Sequence, residues 1–212
     1  MSIFVLMPLI IYQSNFNDTG RLLIWKATET LGELESRVVF SEAQKKEYES
    51  IVLEKRRQEW VLTRILLEIA LEGAELTFAP SGKPLLTETH HISVSHSGDL
   101  AGILVADHNV GLDIQGVDEK LEKISKKYCH QDELARAGWD NSPLDYLTIV
   151  WSAKEAVFKF FGENVHFAKE MVTRPFTTAQ EVIELDYQGA HGARTFQLQH
   201  LYITGYHVIM TI

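Results

Sequence analysis

An α+β fold is what this sequence predicts, and three observations predict it. Segments with strand-like alternation come in groups, two long helix-forming regions lie between the groups, and no Pro/Gly/Ser-rich linker, low-complexity tract or clear repeat divides the chain. The composition agrees: 212 residues, 45% hydrophobic and 23% charged, make one compact body with a sizeable core. The net charge of −9 argues against general affinity for nucleic acid or an anionic membrane, while leaving local basic patches free to bind phosphates. One cysteine, Cys129, allows no intrachain disulfide framework and makes the reducing cytoplasm the expected home.

The opening MSIFVLMPLIIY is apolar, but the first positive charge is Arg21 and the polar QSNFNDTG follows. It lacks the basic start and cleavage site of a signal peptide and is too short to span a bilayer, so a buried strand is expected. Ser41 and Gln44 have capping-box spacing and open a helical region that continues through KRRQEWVLTRILLEIALEG to Gly73, as two helices or one bent one. SGKPLL is a turn. HISVSHSG alternates as a strand, with Ile92 and Val94 on one face, and ends in a turn at Gly98. LAGILVADHN and VGLDIQ read as two more strands, and KLEKISKKY as a charged helix leading to a loop. The second long helix follows, with a capping box from Ser142 and Asp145, a first-turn proline at Pro143 and a C′ stop at Gly162. VIELDY, TFQLQHLYI and YHVIMTI then alternate like an antiparallel meander.

Chemistry is expected where VGLDIQ meets the second long helix. Val110, Leu112 and Ile114 point one way on the strand, while Gly111, Asp113 and Gln115 point the other, so Asp113 stands on a surface kept bare by Gly111. In WSAKEAVFKF, Glu155 falls on the stripe of Leu147, Trp151 and Phe158, where a carboxylate needs a reason. If the helix crosses the bare surface, Asp113 and Glu155 converge, and a hard divalent cation between them supplies that reason. The competing explanation is an ordinary ion pair with Lys159, one turn on. The small residues of SVSHSG suit either a phosphate approaching the backbone, with His96 donating a hydrogen bond, or a polar hairpin end. His91 and His96 lie on opposite strand faces, which disfavours a zinc site. Arg56 and Arg64 share a helical stripe with Trp60, Leu67 and Leu71; anion binding is one explanation, pairing with Glu59 or Glu68 the favoured one.

Taken in order, RRQEWVLTR, SGKP, ISVSHSG, VGLDIQ and WSAKEAVFK resemble the serial motifs of the Sfp-type 4′-phosphopantetheinyl transferases over roughly residues 50 to 165. GLDI followed about forty residues later by WSAKEAVFK is the most specific pairing. The resemblance implies a pseudo-twofold α+β fold of two similar halves, 1–106 and 107–212, each a small, mainly antiparallel sheet packed on a long helix. It implies a monomer that holds coenzyme A and Mg²⁺ in the cleft and moves the phosphopantetheine arm onto a serine of an apo acyl or peptidyl carrier protein. By motif position, Asp113, Glu155 and Gln115 would surround Mg²⁺, and Glu155 would also help deprotonate the serine. Lys159 would meet the pyrophosphate, while Arg56, Lys83, Ser95 and His96 would hold the nucleotide end and its phosphates.

Two positions depart from the family pattern. Gln115 stands where many members carry a third acid; its amide oxygen can coordinate but brings no charge, so weaker Mg²⁺ binding is expected. Ala79, Pro80 and Ser81 replace the aromatic common before GKP. Tyr128 and Glu133, in KYCHQDE, read as structural. The carrier is expected to dock on the KLEKISKKY helix, where Lys120, Lys123 and Lys127 share a face beside Leu121, Ile124 and Tyr128.

Overall fold

The computed structural model describes residues 10–16, 20–86, 89–163 and 165–212. Strands β1 (Ile10–Phe16) and β2 (Gly20–Lys26) precede helices α1 (Leu31–Glu35), α2 (Glu42–Ser50) and α3 (Glu54–Ala70). A hairpin of β3 (Leu76–Phe78) and β4 (Pro84–Leu86) leads to β5 (His91–Ser97), β6 (Leu100–Ala106) and β7 (Leu112–Gly116). Helices α4 (Glu119–Tyr128), α5 (Gln131–Ala137), α6 (Pro143–Phe161) and α7 (Phe167–Glu170) follow, then β8 (Met171–Thr173), β9 (Val182–Gly189), β10 (Gly192–Ile203) and β11 (Tyr206–Thr211). One sheet has the order β1-β2-β6-β5 and the other β7-β11-β10-β9-β8, with antiparallel neighbours throughout. This is the α+β class that the sequence predicts. No helix among the described residues is long and apolar enough to cross a membrane.

Alternation of side chains sorts the residues of each sheet into separate cores. On β2, Leu23 and Trp25 join α3 residues such as Val61, Leu62 and Leu66 in one core. Leu22 and Ile24, on the other face, meet Leu112 and Ile114 of β7 and Val208 and Met210 of β11 in a core between the two sheets. The far face of the second sheet packs on α6 through Ile183, Leu185, Leu198 and Ile209 against Ile149, Ala153 and Val157.

The sheets are also joined by a row of serines. The amide N–H groups of Leu112, Ile114 and Gly116 on β7 donate to the hydroxyls of Ser93, Ser95 and Ser97 on β5, at 2.9, 3.0 and 3.1 Å. Side chains thus take up the β7 donors that face this neighbour, which buried backbone requires.

Of three local expectations, one falls mostly outside the described residues, one is met and one needs correction. The strand expected over the opening apolar run falls largely on residues 1–9, outside the described residues, and β1 runs on into the polar QSNF. The first helical region is two helices: α2 has the Ser41–Gln44 capping box, and extended backbone at Ile51 and Leu53 separates it from α3. Helix α6 has its proline and its left-handed Gly162 (φ 89°), but the Ser142–Asp145 capping box is absent. The Ser142 N–H instead donates to Asp140 Oδ1 at 2.8 Å, and Asp145 Oδ1 lies 3.1 Å from His207 Nε2 on β11. A tertiary partner has outcompeted the local one.

Helix α6 crosses β7 at Gly111, where a Cβ would lie 1.8 Å from the Ala156 carbonyl oxygen and 3.0 Å from the Phe160 nitrogen. Backbone cannot yield as a flexible side-chain tip can. Gly111→Ala is therefore expected to cost about 2–3 kcal/mol of stability by forcing α6 outward. The urea midpoint checks this; an unshifted midpoint would mean that the helix does not press on the strand.

Candidate active site

The close crossing at Gly111 decides where the acidic residues go. Asp113 shares a strand face with Gly111 and is only 5% exposed. Its Oδ1 accepts from the Ser95 hydroxyl at 3.1 Å and from the Lys159 ammonium at 2.8 Å, and its Oδ2 accepts from the Ser152 hydroxyl at 2.5 Å. Glu155 is half-buried, and its charge meets that of Asp113. Burial first, then Asp113, push the Glu155 carboxyl up to about 7, against a smaller opposing pull from Lys159. The strand acid and the helix acid are brought together.

Lys159 does not simply pair with Glu155 along the helix. Its ammonium bridges Asp113 Oδ1 and Ser95 Oγ, the latter at 3.0 Å, and Glu155 has no hydrogen-bond partner among the described residues. Ser95 is saturated: its hydroxyl accepts from Ile114 and Lys159 and donates to Asp113.

Lys159 also borders a cavity of about 600 Å³, walled by α3, the β3–β4 hairpin, β5 and the end of α6. Arg56, Lys83 and His96 line it, with Trp60, Phe78 and Phe158 as apolar walls. Ser95 is absent from the lining and lies beneath, under Lys159. Arg56 is exposed and paired with Glu59 at 2.8 Å. Lys83 donates to the Phe160 carbonyl at 2.7 Å, closing the C-terminal turn of α6, and burial pulls its ammonium down. Arg64 pairs with Glu47 at 3.1 Å rather than with Glu68, and lies over the Trp60 ring at 3.3 Å from its centroid.

His96 can be assigned a tautomer. The Thr63 hydroxyl donates its proton to the Glu59 carbonyl at 2.8 Å, so His96 Nε2, 3.1 Å from the same oxygen, must be the donor. Burial pulls the imidazole down to about 4; Glu59 opposes the fall, and Lys159 and Arg56 add to it. His96 is neutral near pH 7, with Nδ1 its remaining acceptor.

The donor set suits a hard divalent cation. Asp113 Oδ2 takes one hydrogen bond and has a lone pair left, and Glu155 is unpartnered among the described residues. Gln115 Nε2 donates to the Gly116 carbonyl at 2.9 Å, leaving its oxygen without a partner among the described residues. No third His, Cys, Asp or Glu among them completes a cluster of ligating type.

Sequence reasoning missed Ser152, fully buried beside Asp113, although it lies inside the WSAKEAVFK motif. It also missed Lys154 in the same motif. That ammonium is fully buried, 2.5 Å from Glu133 Oε2, and also donates to the Tyr128 and Phe167 carbonyls at 2.8 and 3.2 Å. Glu133 further accepts from the His130 and Thr173 N–H groups and the Thr173 hydroxyl, which makes it structural, as expected.

Fold and site together define an α+β protein in which a carboxylate pair beneath a long helix adjoins a cavity lined by basic side chains. Residues 109–211, which carry Asp113, Glu155 and Lys159, match the sequence model of the 4′-phosphopantetheinyl transferase superfamily. The resemblance read from the motifs stands. Among curated proteins the chain is similar to the 4′-phosphopantetheinyl transferase gsp of Aneurinibacillus migulanus, with 28% identity over 87 residues; the match covers 40% of this chain and 37% of that relative.

Proposed function

We propose that the protein transfers the 4′-phosphopantetheine arm of coenzyme A to a serine of an apo carrier protein and releases adenosine 3′,5′-bisphosphate. The observation that carries this reading is the meeting of Asp113, Glu155 and Lys159 at the edge of a cavity that also gathers Arg56, Lys83 and His96. The serine oxygen bonds to the phosphorus that bears the pantetheine, the bond from that phosphorus to the bridging oxygen breaks, and the electron pair leaves with the adenosine bisphosphate. Glu155, held near 7, is tuned to take the serine proton at neutral pH. Lys159 supplies positive charge to the diphosphate oxygens, and Ser95 acts through Lys159 by anchoring it. Arg56, Lys83 and His96 hold the nucleotide end. Mg²⁺ held by Asp113, Glu155 and the Gln115 oxygen would neutralise developing charge on the phosphates.

In this reading the halves 1–106 and 107–212 are related by a pseudo-twofold axis, a relation supported by the long helix on each sheet. The protein acts as a cytoplasmic monomer, with neither nucleic acid nor membrane as partner. The carrier docks on α4, where Lys120, Lys123 and Lys127 are exposed. A groove of about 450 Å³, lined by Ile124, Lys127, Trp151 and Phe167, leads from there to Glu155. Charge reversal at Lys123 and Lys127 is expected to raise the KM for the carrier about tenfold and to leave coenzyme A affinity unchanged. An unaltered carrier KM would move the docking face elsewhere.

Mass spectrometry of an apo carrier incubated with coenzyme A and Mg²⁺ tests the function, using carriers from fatty acid, polyketide and peptide pathways. Gain of the pantetheine arm is the expected result. A second reading, favoured by the uncharged Gln115, is a weak relative that binds coenzyme A or a carrier without modifying it; binding without a mass change would support that one. Diphosphate cleavage with no carrier present would indicate hydrolysis instead.

A further inference from the structure

Lys159 stands between a carboxylate that attracts its charge and a basic cavity that suits phosphates. Its ammonium is 2.8 Å from Asp113 Oδ1 and 3.0 Å from Ser95 Oγ, while its side chain, 25% exposed, forms part of the cavity wall. We propose that Lys159 is the resident counter-ion of Asp113, that a divalent cation displaces it toward the cavity, and that coenzyme A and metal therefore bind cooperatively through this side chain. The inference rests on the metal and coenzyme A reading of the site given above.

The geometry selects Lys159 as the group that moves. A dication beside Asp113 would face an ammonium bonded to the same carboxylate, and like charges so close repel. Asp113 itself stays in place, because the Ser95 and Ser152 hydroxyls hold an oxygen each. Lys159 has a flexible four-carbon stem and open space on its cavity side. The other cationic side chains lining the cavity are already committed, Arg56 to Glu59, Arg64 to Glu47 and Lys83 to the Phe160 carbonyl. Lys159 is the cation whose own partner a metal would take away. By linkage, whatever factor metal adds to coenzyme A affinity, coenzyme A adds to metal affinity.

Titration calorimetry with Mn²⁺ and with coenzyme A on the parent, Lys159→Met and Lys159→Arg separates this from a fixed role. Without coenzyme A, Lys159→Met is expected to bind Mn²⁺ about tenfold more tightly than the parent, and Lys159→Arg about equally. In EDTA, Lys159→Met should bind coenzyme A within about twofold of the parent; with saturating Mn²⁺ it should bind about tenfold more weakly. Mn²⁺ affinity unchanged or reduced in Lys159→Met would overturn the proposal, and so would a coenzyme A loss of equal size with and without metal. If the parent binds no Mn²⁺, the reading of the site fails and takes the inference with it, a result distinct from a parent that binds while its variant gains nothing. Thermal unfolding verifies folding of Lys159→Met, and Lys159→Gln repeats the test should it misfold.

Discussion

Glu155→Gln is expected to lower phosphopantetheine transfer about a thousandfold while leaving the protein folded and, above pH 7, more stable than the parent. In the function proposed above, the loss of activity follows from removing both the proton acceptor and a charged oxygen ligand. The gain in stability follows from the same surroundings. Burial and Asp113 raise the folded carboxyl from 4.5 to about 7, so between those values the native state holds a proton that the unfolded chain has released. Stability from this group therefore falls as pH rises through the window and levels off above it. Glutamine has no such dependence. The variant's advantage should be nil below pH 4.5 and reach about 1–3 kcal/mol at pH 8, once solvent screening at this half-buried group is allowed for. Urea titrations at several pH values, alongside initial rates, check both halves. Equal pH dependence in parent and variant would show that Glu155 is not under electrostatic stress.

Lys154→Met should have the largest effect on stability, a loss of about 3–5 kcal/mol. The Lys154 ammonium, with no exposure, ties α6 to Glu133 on α5, to the end of α4 and to the first residue of α7. Burial pulls the ammonium down and Glu133 opposes that pull. Removing the lysine alone leaves the Glu133 carboxylate buried without its counter-charge, and two carbonyls without a donor. Adding Glu133→Gln to Lys154→Met should recover part of the loss, because the neutral amide tolerates burial better. The rate at low temperature, where the variant remains folded, should approach that of the parent. A rate that stays low in folded protein would give Lys154 a part in the chemistry.

The sequence made the second half more legible than the first. Alternating Val110, Leu112 and Ile114 announced the core face of β7, and the bare Gly111 announced the approach of α6. β2 was missed because it is buried on both faces, so GRLLIWK reads as an apolar run without alternation. The short α1 and α5 were overlooked although Thr30–Glu33 and His130–Glu133 form capping boxes that the spacing displays. At the site, motif order placed Asp113, Glu155 and Lys159 near one another. Nothing in spacing could show that Lys159 turns to Asp113 rather than Glu155, that Lys83 closes a helix 77 positions away, or that Asp145 leaves its own helix start for His207. These are choices among partners brought by tertiary structure, and local pattern carries no record of them.

Because the β5 hydroxyls meet the β7 amides at every second residue, the two sheets cannot slip by a single position without breaking the row. A slide of one position would set Val94, a hydrocarbon, against a buried amide proton, and would carry Asp113 away from Ser95. The seam therefore works as a key: the same teeth that hold the sheets together index the acid to the lysine, and wear at the joint would be felt first in the chemistry.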